Sequence, residues 1–336
     1  MKQKLFSAVR ILLFAAIGGF LFWLVIRNQN LEEIKLKLET ANWWWPVLAL
    51  VFGLFSNIFR SLRWNMLIHP LGYKPSLINT FCSLMVGYMA NLAIPRMGEV
   101  TRSAMLSNYG KMPMNKLFGT VVVERIIDVL TIFLLLLLIL LIEFEKMSSM
   151  ATQYVFAPIG DKVNFLFSQG LVFYLLVTGI FAAVLFASWF YIVRIKRSKY
   201  YLKLKDMLRG FADGIKTIGN LKNRNLFLLY TFLIWFMYFL MSYVCFFSFP
   251  ATTTLGWLAA LAVMVFGAFG WAAPVQGGFG TFHVIVTQTL VLYGIANNDA
   301  LAFAILNHAT QIFGMMVFGL LALILLPIIN RKTAAV

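Results

Sequence analysis

Two carboxylates stand in the middle of an otherwise apolar stretch of the chain. Glu124 and Asp128 are four residues apart, so a helix places them on one face. Thr120 and Thr131 fall on the same face. Because like charges at this spacing repel each other, the pair requires a cation or a shared proton. The pattern predicts a transport pathway or gate, or alternatively an ion-pair network that fixes helix packing, with Arg125 or another arginine as the partner.

A second group of charges surrounds a helix break at Pro95 and Gly98. Arg96, Glu99 and Arg102 lie within the same eight residues. Non-helical backbone at membrane depth is tolerated only where it is buried in protein or lines a cavity. A half-helix that starts near Gly98 would direct its amide groups at the midplane and attract anions, and the arginines add forked donors for phosphate or carboxylate. The alternative is that these arginines only neutralise the two mid-chain carboxylates.

The C-terminal half contains a similar P-x-x-G break with two further glycines: Pro274, Gly277, Gly278 and Gly280. Neither a preceding strand nor a P-loop lysine accompanies them, so the pattern favours a turn and close helix contact over a nucleotide loop. The apolar segment that follows carries three mid-chain polar residues, Asn307, His308 and Gln311. With His283, His308 makes too few ligands for a metal site, so we expect neither a metal nor a cofactor. The absence of any recognisable catalytic constellation predicts that the chain is not an enzyme.

The composition indicates the elements that position these groups. The chain is 61% hydrophobic and 12% charged, whereas soluble domains carry about 25% charged residues. Several stretches reach the ~20 apolar residues that span a bilayer. These features predict an all-α polytopic integral membrane protein. The net charge of +16 is concentrated in a few loops, which indicates contact with anionic lipid of the inner leaflet and not with nucleic acid.

Charge and length together predict the topology. The basic segment 194–224, read as an amphipathic surface helix, belongs in the cytoplasm, as does the basic N-terminus. Both conditions hold if 77–108 is a re-entrant hairpin entering from the cytoplasm. A second hairpin at 256–293 then enters from outside, and its stretch 279–293 is too short to cross. We expect a single membrane domain over 1–336 with two opposed hairpins, cytoplasmic termini and a possible inverted repeat. Its six crossings are predicted at about 6–26, 44–67, 117–142, 167–193, 226–249 and 300–327.

Two further arginines, Arg60 and Arg63, lie near the cytoplasmic end of the predicted crossing at 44–67. Long basic side chains near a helix end usually extend to the membrane surface. We therefore expect both guanidinium groups at the interface and outside the polar pathway.

The ordered motifs resemble a known family. Pro-Arg-x-Gly-Glu at 95–99, Glu-Arg-x-x-Asp at 124–128, Pro-x-x-Gly-Gly-x-Gly at 274–280 and the Arg63-Trp64 pair resemble the flippase-like membrane domain of lysylphosphatidylglycerol synthases, over about residues 5–330. In two-domain members a soluble aminoacyl-transferase domain makes the lipid, and the membrane domain is credited with moving it across the bilayer. The resemblance implies a stand-alone member without the soluble domain, and a candidate for lipid translocation.

The leading hypothesis is therefore a lipid translocase of the bacterial inner membrane. A headgroup would pass a polar groove while its acyl chains remain in the bilayer, and the groove would contain Arg96, Glu99, Arg102, Glu124, Arg125 and Asp128. Arg96 and Arg102 would hold the phosphate, and Glu124 and Asp128 would meet a cationic headgroup or a coupling proton. The alternatives are an ion-coupled transporter of a small soluble anion and a non-transporting membrane partner of a separate synthase or glycosyltransferase. No feature of the sequence assigns an oligomeric state.

Overall fold

The computed structural model describes residues 29–143 and 221–331, with eight further positions between 16 and 27. The predicted crossings at 6–26 and 167–193 and the basic segment 194–224 lie largely or wholly outside these residues. The described residues before 137 and after 220 form one compact unit. Their regular structure is helical, without a strand, and the α-helices that we label are α1 (Leu31–Glu39), α2 (Trp44–Ile68), α3 (Leu77–Ala93), α4 (Gly98–Gly110), α5 (Met114–Ile142), α6 (Arg224–Cys245), α7 (Trp257–Ala272), α8 (Thr281–Leu292) and α9 (Asn297–Ile329).

Four of these helices are long and apolar enough to cross a membrane, namely α2, α5, α6 and α9. The shortest, α6, has 22 residues, or about 33 Å at 1.5 Å per residue, against a hydrocarbon core of about 30 Å. Each lies where the sequence predicts a crossing. Large apolar side chains such as Phe133 and Phe232 remain exposed, as expected for surfaces in contact with lipid. The chain is a helical integral membrane protein.

Four shorter helices form two pairs, and the first helix of each pair is apolar but shorter than the four long helices. In the first, α3 has 17 residues and α4 has 13; in the second, α7 has 16 and α8 has 12. A side chain at Gly87 would clash with the backbone oxygen of Gly98, and one at Gly270 would clash with the backbone of Phe282. Small residues therefore let the two limbs of each pair pack closely, as helix–helix contacts in membranes generally require. The stretches 77–108 and 256–293 each contain a pair of closely packed helices, which we call the first hairpin (α3 and α4) and the second hairpin (α7 and α8).

The two hairpins occupy equivalent places in the chain. The order long, short, short, long describes α2 to α5 and is repeated by α6 to α9. The halves are interleaved, because α2 packs along α6 and α9 packs along the hairpin helix α3. This arrangement brings polar residues from distant parts of the sequence together.

Helix α1 is short and was not expected from the sequence. The side chain of Asn30 caps it by accepting a hydrogen bond from the amide of Glu33 at 3.2 Å. Its Lys37 forms an ion pair with Asp299 at the start of α9, and Ile34 is buried against the apolar core. The hydrogen bond that Lys37 donates to Asp299 raises the pKa of Lys37 above its ordinary value of 10.5. Helix α1 is therefore fixed to the N-terminal end of α9.

Candidate functional site

The polar face of α5 is its buried face. Thr120 is 6% exposed, Glu124 0% and Asp128 8%, whereas Val122 and Val129 on the opposite side are each 45% exposed. This pattern places apolar side chains towards lipid and polar ones towards the protein interior. The expectation that the two carboxylates share one helix face is confirmed.

Two arginines of α2 hold these carboxylates. Arg60 donates from Nη1 to Glu124 Oε1 at 2.6 Å and to Asp128 Oδ2 at 2.7 Å. Arg63 donates from Nη2 to Asp128 Oδ1 at 2.7 Å. The arginines are three residues apart and the carboxylates four apart, so one face of α2 matches one face of α5.

The first hairpin contributes a third arginine to the same group. Arg102 on α4 donates from Nη1 to Glu124 Oε2 at 3.2 Å, and its guanidinium lies 4.7 Å from the ring centroid of Trp64. The indole Nε1 of Trp64 donates in turn to Thr120 Oγ1 at 2.8 Å. Through Arg102 the hairpin is thus joined to both α2 and α5.

An outer ion pair continues the group towards the surface. Arg125 Nε lies 3.2 Å from Glu99 Oε1, and their side chains are 38% and 27% exposed. Arg125 Nε has no hydrogen-bond partner among the described residues, so this contact is ionic. Arg125 Nη1 also lies 3.5 Å from Asp128. We call the whole set the arginine–carboxylate cluster: Arg60, Arg63, Arg102, Arg125, Glu99, Glu124 and Asp128.

The expectation for Arg60 and Arg63 was wrong. They are 3% and 0% exposed and are the main partners of the carboxylates, so they do not reach the membrane surface. The signal that could have found them is spacing, since two cations on one face of an apolar helix match two carboxylates on one face of another. The structure also explains the Arg63-Trp64 pair noted in the sequence, because both side chains donate hydrogen bonds to residues of α5.

The break between α3 and α4, which we call tip 1 (residues 94–97), keeps Arg96 apart from the cluster. Arg96 is exposed and has a left-handed backbone with φ of 64°, and no described carboxylate lies within ion-pair distance of it. The first amide of α4, at Gly98, donates to Asn91 Oδ1 at 2.6 Å. That amide is therefore already occupied, and only Arg96 presents a free charge at this tip. Pro95, which precedes Arg96, is half-buried.

The break between α7 and α8, tip 2 (residues 273–280), is a run of left-handed glycines. Gly277, Gly278 and Gly280 have φ of 55°, 68° and 80°, conformations that favour glycine. The carbonyl of Gly277 lies 2.8 Å from His308 Nε2, and the amide of Gly280 donates to His283 Nδ1 at 3.3 Å. The glycines make the turn, as the sequence predicts, and two histidines hold it.

The two tips meet. The side chain of Gln276 in tip 2 donates from Nε2 to the carbonyl of Ala93, the last residue of α3, at 3.4 Å. A methyl group at Gly277 would lie 3.1 Å from Leu92. The ends of the two hairpins are therefore in direct contact.

The three polar residues of α9 that the sequence singles out, Asn307, His308 and Gln311, lie near tip 2 and outside the arginine–carboxylate cluster. His308 binds the tip, and one turn along the same helix Gln311 donates to Asn307 Oδ1 at 2.6 Å. The rings of His283 and His308 are 4.6 Å apart. Among the residues that the structure describes, no group of three potential ligands forms around a possible metal.

Comparison with known proteins decides the family. A profile of the lysylphosphatidylglycerol synthase TM region matches residues 8–332. The chain belongs to this family. This chain is also similar to a UPF0104 membrane protein of Methanocaldococcus jannaschii, with 34% identity over 116 residues. That match spans 33% of this chain and 34% of the relative, or about a third of the relative's length. No solved structure matches.

Proposed function

We propose that the protein translocates a lipid with a polar headgroup across the bacterial plasma membrane. One observation carries the proposal: the arginine–carboxylate cluster, whose core is buried, includes Glu99 and Arg102, two and five residues after tip 1, where the two hairpins touch. A charge in mid-bilayer costs about 2.5–3.5 kcal/mol on insertion scales, so charges kept at this depth usually have a function in transport. The family resemblance in the membrane region supports the same activity.

The topology that we propose has six crossings and two re-entrant hairpins that enter from opposite faces, with both termini in the cytoplasm. It is supported by the lengths of the hairpin helices and by the repeated order of long and short helices. Discontinuous helices that meet near the midplane are the usual setting of substrate sites in transporters built from inverted repeats.

In the proposed mechanism the contact between the tips is a gate. The headgroup would enter past Arg96, displace the bond between Gln276 and Ala93, and leave on the opposite side while its acyl chains stay in the bilayer. The partly exposed pair of Arg125 and Glu99 lies next along this route. We assign Glu124 and Asp128 the task of holding the arginines, and we propose no catalytic activity.

Reversible locking of the gate tests the proposal. Cysteines at Ala93 and Gln276, joined by a short reducible bis-methanethiosulfonate linker, should stop the flipping of fluorescent phospholipids in proteoliposomes, and reduction should restore it. The matched control joins cysteines at Asn79 and Asn330, which bond each other at 3.0 Å away from the tips, and should flip lipid at the original rate. Unchanged flipping in the locked tip variant would refute the gate.

The same assay separates the alternatives. An ion-coupled transporter of a soluble anion would flip no lipid but would accumulate a labelled anion in proteoliposomes under a proton gradient. A membrane partner of a separate enzyme would do neither.

A further inference from the structure

We infer that the translocated lipid carries a headgroup of net negative charge, with its phosphate recognised by the arginines of the cluster and of tip 1. This inference rests on the proposed function and specifies the substrate of the same site. It is carried by the charge balance of the cluster, by the pairing of its two buried carboxylates with arginines and by arginine donors that have no acceptor among the described residues.

The charge balance of the cluster is positive. Four arginines face three carboxylates among the described residues, which leaves one positive charge, and Arg96 at tip 1 adds a second. Among the buried members alone, three arginines face two carboxylates, and a buried charge without a counter-ion is strongly unfavourable. The site therefore favours a ligand that brings negative charge.

The two buried carboxylates, Glu124 and Asp128, have no oxygen without an arginine donor, so no unpaired buried carboxylate awaits a cationic headgroup. Glu124 Oε1 accepts from Arg60 and its Oε2 from Arg102. Both oxygens of Asp128 accept from arginines of α2 at 2.7 Å. A cation that bound here would have to displace an arginine, which would itself then be buried and unpaired.

The arginines, by contrast, keep free donors. Nε and Nη2 of Arg102 are buried and have no acceptor among the residues that the structure describes, although the side chain is only 2% exposed. These two groups form one edge of the guanidinium, the fork that binds two oxygens of a phosphate at once. The Nε groups of Arg60 and Arg63 are likewise without an acceptor in the described part. Arg96, exposed at tip 1, offers the first contact on the way to this fork.

Headgroup selectivity tests the inference. The full chain in proteoliposomes would be assayed with acyl-labelled phosphatidylglycerol, phosphatidylcholine and the cationic ethyl-phosphatidylcholine. We expect the anionic lipid to flip at least about tenfold faster than the cationic one, the effect of one charge-assisted hydrogen bond. Equal rates for the three lipids would overturn the charge preference while leaving translocation intact.

A binding measurement separates this inference from the proposed function. In detergent, dioctanoyl phosphatidylglycerol should bind the protein about tenfold more tightly than its ethyl-phosphatidylcholine analogue. If no lipid is flipped but this preference is found, translocation fails and the anionic site stands. If free glycerol phosphate binds as tightly as the lipid, the ligand is a soluble anion and the lipid assignment is refuted.

A matched pair of variants locates the effect. Arg96→Gln should slow the flipping of phosphatidylglycerol about tenfold. Lys111, at the other end of α4, is also basic, exposed and left-handed, with φ of 52°. Lys111→Gln should leave the rate within about twofold, because a surface charge is screened by salt. Equal losses in the two variants would show a general effect of surface charge and would contradict recognition at tip 1.

Discussion

The buried cluster predicts a large stability effect for a substitution that changes almost no volume. Asp128→Asn removes one negative charge that accepts from Arg60 and Arg63, each at 2.7 Å. Both arginines are at most 3% exposed, so water cannot compensate. Breaking a buried ion pair in this way costs about 3–5 kcal/mol. The exposed pair of Lys35 and Glu39, 3.9 Å apart with side chains 69% and 61% exposed, contributes at most about 1 kcal/mol.

The free energy of unfolding would be measured by titration with SDS in mixed micelles, with helicity as the signal. Asp128→Asn should lose about 3–5 kcal/mol and Glu39→Gln less than about 1 kcal/mol. The double variant Arg63→Met/Asp128→Leu should be less destabilised than the sum of its single changes by about 2 kcal/mol, because it removes both charges together. A folded Asp128→Asn protein that loses less than about 1 kcal/mol would refute the view that these charges hold the helices together.

Three further predictions concern other parts of the chain. Cysteines at Lys74, before hairpin helix α3, and at Thr253, before α7, should react with an impermeant maleimide from the cytoplasmic and the external side respectively; reaction from one shared side would contradict opposed hairpins. Gly98→Ala should lower the free energy of unfolding by at least about 2 kcal/mol, because its methyl group would lie 2.5 Å from the carbonyl oxygen of Gly87; a neutral effect in the same SDS titration would be inconsistent with this packing. Lys37→Gln should lower the free energy of unfolding by about 0.5–1 kcal/mol. Because Asp299 raises the pKa of Lys37 above 10.5, this stabilisation is complete below about pH 10 and is lost only at higher pH. A stabilisation that disappears between pH 7 and 9 would contradict the pairing.

The helices of the described region could largely be read from the sequence. Hydrophobic length placed the long helices within a few residues, and the breaks at Pro95 and Pro274 placed both hairpins. The shared face of Glu124 and Asp128 followed from helical periodicity alone. These features are local, so they need no knowledge of which helices are neighbours.

The partners of the charges could not be read in the same way. The matching spacing makes Arg60 and Arg63 candidate partners of the carboxylates, but whether α2 packs against α5 depends on which helices are neighbours, and local periodicity does not contain this information. The contact between Gln276 and Ala93 joins residues 183 positions apart for the same reason. Helix α1 was missed because its nine residues carry little apolar signal and its position depends on Asp299.

The division of the cluster between α2 and α5 has a consequence for biosynthesis. Arg60 and Arg63 leave the ribosome about 60 residues before Glu124 and Asp128, a delay of several seconds at about 5–20 residues per second. During this time α2 carries two uncompensated charges, each with an insertion cost of up to about 2.5–3.5 kcal/mol. We therefore expect α2 to remain beside the insertion machinery until α5 emerges. Nascent chains that end before α5 should insert α2 poorly in a glycosylation-mapping assay, whereas longer chains should insert it fully, and equal insertion at both lengths would exclude such a delay.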